Sequence, residues 1–431
     1  MIAALIYGSL LCFTAALPWW SLLLFVIISP WGILFDWLGV DVRLGWSLLL
    51  AVRAGLMFSE SSRRTVPWQA VWSSIAFALL WYVRLHFGTN DLPPEELDSA
   101  YKTSAYFVAG MCAVYSILKM VDSAKRVAAL LGAAAGGLVL ASCFGLSQAV
   151  TQYGDTTAGG RIPGTLGNPN FFAAYLAISA TVATVAWRLK IGSRFWQALA
   201  VTTATVVCIL TFSRMGIVAC CMGVGLALQI RRAGEILNWK LICSGVAVAL
   251  ATGVLSGNYL VETRRSVSYS NAKDVSTEQL GQLGQAVNDW SRLEAAEFGL
   301  QEWIDNPVWG VGLATLAARN YMANGIYVTT HNSFIQMLSG SGLVGTVLFA
   351  LALISLLSTV SVTEKRFVIP VIVEFGACCL FADFLGSIEI FVMWAILIAL
   401  LRQPGEVVPV LACSATAIQP KFRIAASVVS L

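Results

Sequence analysis

Long apolar segments with almost no charge recur along nearly the whole chain. About 20 such residues are needed for a helix to cross the roughly 30 Å hydrocarbon core of a bilayer. Lipid cannot hydrogen-bond a free peptide group, so a spanning segment must be helical or part of a closed barrel. These segments do not alternate polar and apolar residues as barrel strands do, so the sequence predicts an all-α, polytopic transmembrane protein.

The apolar segments predict about 12 helices. Two or three are expected within residues 2–58, where Pro18 and Pro30 blur the boundaries. Ten more are expected at 67–84, 103–121, 127–150, 169–189, 195–213, 215–230, 241–257, 332–357, 367–382 and 387–402. The composition, with 58% hydrophobic and 12% charged residues, is too apolar for a soluble domain of this length.

Lysine and arginine concentrate in every second loop, which makes those loops cytoplasmic. They are Arg63, Arg64, Lys119, Lys125, Arg126, Arg188, Lys190, Arg194, Arg231, Arg232, Lys240, Lys365 and Arg366. The intervening loops are then external. The predicted organisation has four parts. N-terminal transmembrane helices fill residues 1–257, and a large external loop with amphipathic helices covers 258–331. C-terminal transmembrane helices follow over 332–402, with a cytoplasmic tail over 403–431.

Charge and cysteine usage exclude several classes of protein. A net charge of +4 is small for this length and argues against a nucleic-acid partner. The ten cysteines lie in apolar segments or in the tail, and pairs such as Cys220-Cys221 lack the spacing of a metal site. We therefore expect no disulfide framework and no metal site built from these cysteines.

Three arginines fall at predicted external positions: Arg161, Arg214 and Arg292. The positive-inside rule makes arginine less expected at short external turns, so Arg161 and Arg214 call for an explanation. A planar guanidinium is permanently charged and can bind two oxygens of a phosphate at once. Together the three arginines predict an anionic ligand such as a pyrophosphate. For any single one, the alternative is that it snorkels to lipid headgroups.

His331 lies where the long external loop returns to the membrane, followed by Asn332 and Ser333, which can cap the next helix. Histidine titrates near neutral pH and can accept a proton from an attacking hydroxyl, so His331 is a candidate general base. The alternative is a histidine that only anchors a helix end at the interface.

The stretch from Gly160 to Asn170 is rich in glycine, proline and asparagine, which favour turns and let backbone N–H groups approach a ligand. Asn168 and Asn170 then begin an apolar helix whose N-terminus, on the external side, favours an anion. An ordinary loop with a helix cap is the alternative.

A carrier, either a lipid-linked sugar flippase or a secondary transporter, would also have about twelve helices and a basic cavity. Such carriers often show duplicated halves with broken helices near the midplane, and no such repeat is apparent in this sequence. Glu374, Asp383 and Glu389 in the last helices could serve ion coupling. We interpret these few carboxylates as structural.

Four short strings follow one another in the predicted external regions: Gly167-Asn168-Pro169-Asn170-Phe171-Phe172-Ala173, Ser213-Arg214-Met215-Gly216, Arg292 ahead of Asn306-Pro307-Val308-Trp309-Gly310-Val311-Gly312, and His331-Asn332-Ser333-Phe334 leading to Gly342-Leu343-Val344-Gly345. Together they resemble the O-antigen ligase and polymerase superfamily. These are multi-helix membrane glycosyltransferases acting on glycans linked to undecaprenyl pyrophosphate. The resemblance covers most of the chain.

The resemblance implies a GT-C-like fold in the bacterial inner membrane, with an active site facing the periplasm, and a metal-independent, inverting transfer. Arg214 and Arg292 would hold the pyrophosphate, and His331 would activate the acceptor hydroxyl. Our own additions as donor or glycan contacts are Arg161, Asn168, Asn170 and Asn332.

Relatives differ in their acceptor. Ligases use lipid A core, polymerases extend the glycan, and protein O-oligosaccharyltransferases modify a serine or threonine. The short tail after the last helix disfavours the third group, and we favour a ligase over a polymerase. The expected partners are the undecaprenyl-pyrophosphate glycan, the lipid A-core acceptor and membrane lipids.

Overall fold

The computed structural model describes residues 2–38, 41–56, 66–88, 92–151, 162–230, 294–324, 330, 332–360, 364–380 and 384–402. Every regular element in these ranges is helical. The helices are α1 (Ile2–Ala16), α2 (Pro18–Ile28), α3 (Gly32–Leu38), α4 (Val42–Leu56), α5 (Trp68–Phe87), α6 (Pro94–Met120), α7 (Ala124–Thr151), α8 (Pro169–Leu189), α9 (Arg194–Leu210), α10 (Arg214–Gln229), α11 (294–305), α12 (Leu316–Asn324), α13 (Ser333–Ser358), α14 (Ile369–Cys379) and α15 (Ile388–Leu401).

Five helices, α5, α6, α7, α8 and α13, are long and apolar enough to cross a membrane. Most of α1 and all of α2, α9, α10 and α15 are shorter apolar helices. Over the described residues, the predicted helical architecture of a multi-pass membrane protein is therefore confirmed. The number of crossings and the division at residues 257 and 331 stay predictions, and the segment predicted at 241–257 lies outside the described residues.

Helix α6 begins at Pro94, whereas hydropathy predicted residue 103 and an external loop over 85–102. Apolarity alone misses the first turns because they are charged. Proline fits the first turn of a helix, and Glu95 and Glu96 there complement the helix dipole. A pair between Lys102 Nζ and Asp98 Oδ2, 2.7 Å apart and one turn apart in sequence, lies on the same polar extension.

Helix α8 lies at the centre of the bundle. Its most apolar 18-residue stretch is 83% buried, against 50% or less in the other four long helices. It packs against α7, α9, α10, α14 and α15. Small residues such as Ala173, Ala177 and Ala180 are fully buried along it, so neighbouring helices can approach closely. The start of α8 is therefore held from several sides.

Helix α13 is kinked, because Gly342 adopts the non-helical backbone angles φ 62° and ψ −169°. The segment 307–312 runs beside the kink and makes four backbone hydrogen bonds with it, among them Val311 N to Ser339 O and Leu343 N to Pro307 O, both 2.8 Å. Non-helical backbone is tolerated at membrane depth where protein groups satisfy it. This explains why the strings around Gly310 and Gly342 occur together.

Candidate active site

The turn before α8 is built around Gly164 and Asn168. Gly164 has φ +62°, and a side chain there would overlap the ring of Phe172. Its backbone N–H donates to Oε1 of the buried Gln148, 2.8 Å away at the end of α7. Asn168 Oδ1 then caps α8 by accepting from the backbone N–H groups of Asn170 (2.9 Å) and Phe171 (3.4 Å).

The three-residue turn between α9 and α10 lies against the start of α8. Ser213 Oγ donates to Asn170 Oδ1 at 3.1 Å, and it also caps α10 by accepting from Gly216 N at 3.3 Å. Thr211 Oγ1 accepts from Ser213 N at 3.2 Å, which fixes the turn. Two predicted motifs, more than 40 residues apart in sequence, therefore touch through one side-chain hydrogen bond.

The start of α13 is connected to the start of α8 through Phe384. Asn332 Oδ1 caps α13 by accepting from Phe334 N and Ile335 N at 3.0 and 3.1 Å. Ser333 Oγ accepts from Phe384 N at 3.1 Å. The Phe384 ring in turn meets the ring of Phe171 edge-on, with centroids 5.2 Å apart. The starts of α8, α10 and α13 thus lie at one end of the bundle, which we call the site end.

Three helix N-termini at one end give the site end a positive electrostatic character. Each N-terminus carries about half a positive charge, which favours an anion. The side chains of Asn168, Ser213 and Asn332 already accept from some of the first N–H groups of these helices. Arg214 adds a full positive charge as the first residue of α10, and its side chain is exposed. The arrangement can hold an anionic group such as a phosphate at the surface of the bundle.

The structure brings four of the seven predicted site residues, Asn168, Asn170, Arg214 and Asn332, to the site end. Asn168 and Asn332 use their amide oxygens as helix caps, so each can still donate from its amide nitrogen. Arg161, Arg292 and His331 lie outside the described residues, and so does Asp383. Their roles stay predictions.

The O-antigen ligase family model matches residues 198–350. The match covers about a third of the chain. It supports the O-antigen ligase superfamily that the sequence strings indicate. Among curated proteins, none matches the chain.

The region that the family model matches includes Arg214, Arg292, His331 and Asn332, whereas Asn168 and Asn170 precede it. The bond between Asn170 and Ser213 therefore joins this region to the start of α8. The sequence predicted no role for Ser213, which appears there only as the neighbour of Arg214. Its position directly before a helix is the signal that could have identified it as a cap.

A buried ion cluster of Arg43, Asp41 and Glu389 lies beside the turn before α8. The sequence analysis did not predict this cluster. Arg43, at the start of α4, is 8% exposed, and its Nη2 lies 2.6 Å from Asp41 Oδ2. Its Nη1 donates to Ser29 O at 3.1 Å and lies 3.9 Å from Glu389 Oε2. A Cβ added at Gly32 would lie 3.5 Å from the Arg43 guanidinium and 3.7 Å from Thr165 O, so the cluster borders the turn before α8.

We expect Arg43→Gln to lower the free energy of unfolding by about 3 to 5 kcal/mol, because it leaves Glu389 and Asp41 without their cation in a buried place. The measurement is the unfolding of the detergent-solubilised chain. The matched control is Lys102→Gln, which breaks the exposed pair with Asp98 and should change the free energy by less than about 1 kcal/mol. Equal effects of the two substitutions would contradict a supporting role for Arg43.

Proposed function

We propose that this chain is a glycosyltransferase of the O-antigen ligase type. It transfers a glycan from undecaprenyl pyrophosphate to a sugar hydroxyl of lipid A core. It acts in the bacterial inner membrane during lipopolysaccharide biosynthesis, with its active site facing the periplasm. The observation that carries the proposal is the convergence of three separated motifs at the site end, through the Asn170–Ser213 bond and the Phe171–Phe384 contact.

The proposed chemistry needs a charged leaving group to be neutralised and a hydroxyl to be activated. Arg214 and Arg292 bind the pyrophosphate, whose negative charge grows as its bond to the sugar breaks. His331 accepts the proton of the acceptor hydroxyl, and the hydroxyl oxygen attacks the anomeric carbon from the opposite face. The sugar configuration inverts, and undecaprenyl pyrophosphate leaves.

Positioning accounts for the remaining residues of the proposal. Asn168, Asn170, Asn332 and Arg161 are assigned to the donor pyrophosphate or its glycan. Holding two reactants in the right geometry removes a large entropic part of the barrier. Because pyrophosphate is already a good leaving group, charge neutralisation and orientation suffice in this scheme without a metal or an organic cofactor.

An acceptor-resolved transfer assay tests the proposed function. The purified chain is given undecaprenyl-pyrophosphate glycan together with lipid A core, with no second acceptor, or with a serine- and threonine-containing peptide. We expect glycan on lipid A core. Longer glycan on the carrier would make the chain a polymerase, and glycosylated peptide would make it a protein O-oligosaccharyltransferase.

The transporter alternative depends on Glu374, which is fully buried in α14 with Thr181 and Gly223 beside it. An ionisable group inside a membrane helix often marks an ion pathway. The motif residues, however, gather at the site end and not along such a pathway. Movement of intact donor across a vesicle membrane, with no transfer to any acceptor, would favour the carrier over the enzyme.

A further inference from the structure

A second cationic feature of the site end is a pair of arginines between α5 and α12, outside the proposed active site. Arg84 Nη2 donates to Gly310 O, and Arg319 Nη2 donates to Gly88 O at 3.1 Å. A Cβ added at Gly88 would lie 3.3 Å from Arg84 Cζ. Both guanidinium groups therefore lie beside Gly88. The hydrogen bond from Arg319 to Gly88 joins residues that are 231 positions apart in sequence.

No acidic side chain balances this pair among the residues that the structure describes. None of the salt bridges there includes Arg84 or Arg319. Burial and the nearby like charge of Arg319 both disfavour the charged form of Arg84, so the two positive charges repel each other. By contrast, Arg43 elsewhere at the site end is paired with Asp41. Within the described part of the chain these two cations thus have no counter-charge, and a bound anion would balance them.

The unused donors point in the same direction. Each guanidinium has five N–H donors in a rigid fork. The Nε atoms of Arg84 and Arg319 are both buried from water and have no hydrogen-bond partner among the described residues. Buried donors without an acceptor are costly, and native proteins rarely leave them so. An oxyanion between the two arginines would supply acceptors for these groups and relieve the repulsion.

The depth of the pair indicates where such an anion comes from. Arg84 lies in the last turn of α5, one of the candidate membrane spans. Tyr82 and Phe87 on either side of it are 54% and 73% exposed. Exposed aromatic residues at a helix end are typical of the interface where lipid headgroups lie. Arg84 and Arg319 are themselves only half-buried, so a headgroup can reach them.

We propose that Arg84 and Arg319 form a binding site for the phosphate group of a membrane lipid, separate from the proposed donor site at Arg214. The bound phosphate bridges α5 and α12 and so fixes the segment 307–312 against the kink of α13. Two sources carry this chemistry, a bilayer phospholipid and the polyprenyl carrier. The site does not depend on glycan transfer, so it can be tested without it.

The test measures how tightly matched probes bind to the full chain purified in detergent. The readout of binding is the rise in the unfolding temperature of the chain. The probes are dioctanoyl phosphatidic acid against dioctanoylglycerol, and farnesyl pyrophosphate against farnesol. Each pair differs in its phosphate. We expect the phosphate-bearing member of at least one pair to bind about tenfold more tightly or better. Equal binding within both pairs by the wild-type chain would overturn the proposal.

Substitutions of single arginines show where on the chain the probe binds. Arg84→Gln and Arg319→Gln should each weaken the preferred probe about tenfold, while Arg194→Gln, at the exposed start of α9, should change it less than twofold. If Arg84→Gln fails to fold because the bond to Gly310 is lost, Arg84→Lys keeps the charge and should weaken binding less than Arg319→Gln does.

Preference for phosphatidic acid identifies a bilayer lipid, and preference for farnesyl pyrophosphate identifies the carrier. Binding that falls with Arg214→Lys alone would assign the probe to the proposed donor site and overturn this one.

Discussion

Replacing Arg214 by lysine is expected to lower the rate of glycan transfer about a hundredfold, although the positive charge remains. Lysine is a point charge and cannot present the planar fork that binds two oxygens of a pyrophosphate together. Loss of one well-placed donor to a developing negative charge commonly costs about 10² to 10³ in rate. The measurement is initial transfer rate at saturating acceptor, with equal amounts of inserted protein.

The chain offers a matched control for this substitution. Arg194 is the exposed first residue of α9, as Arg214 is of α10, and both follow a serine. The two helices form a hairpin, so Arg194 lies at the end of the bundle opposite to the site end. Arg194→Lys should therefore leave transfer within about twofold of wild type. Near wild-type turnover by Arg214→Lys would remove Arg214 from the mechanism.

Gly310→Ala is expected to destabilise the chain by about 3 kcal/mol or more. The Cβ would lie 2.5 Å from Gly342 N and 2.6 Å from Gly340 C, and neither backbone atom can move away without breaking the paired segment. The residue also has φ +65°, a conformation that costs a non-glycine residue about 1 to 2 kcal/mol. Unfolding of the detergent-solubilised chain measures the loss.

Gly136 provides the comparison, because it lies within α7 and a Cβ there would have nothing within 4 Å. Gly136→Ala should be neutral or stabilising by up to about 1 kcal/mol, since alanine favours the helix. A Gly310→Ala chain as stable as Gly136→Ala would show that the segment 307–312 does not need its close approach to α13.

The helical class was predictable because lipid leaves the backbone so few options, and ten apolar segments carried that signal. Boundaries failed where helices leave the apolar region, as at Pro94, since hydropathy does not detect a charged first turn. The kink at Gly342 was not predictable either. It depends on pairing with residues about 30 positions earlier, and a local pattern cannot report such a partner.

The sequence predicted several residues of the candidate site, but it did not predict which of these residues contact one another. Asn170 and Arg214 were identified from turn chemistry and from an arginine at an unexpected place. The bridge through Phe384 was missed, because an aromatic residue in an apolar sequence carries no functional pattern of its own. The same holds for Arg43, whose partner Glu389 is nearly 350 residues away in sequence.

If the site end transfers a glycan from a lipid pyrophosphate, each transfer must release the carrier. The most direct measurement is release of undecaprenyl pyrophosphate by the purified wild-type chain, with the glycan donor, lipid A core and a metal chelator all present. We expect release that matches the glycan gained by lipid A core, mole for mole. Absence of release with lipid A core, with the carrier alone and with peptide would contradict it.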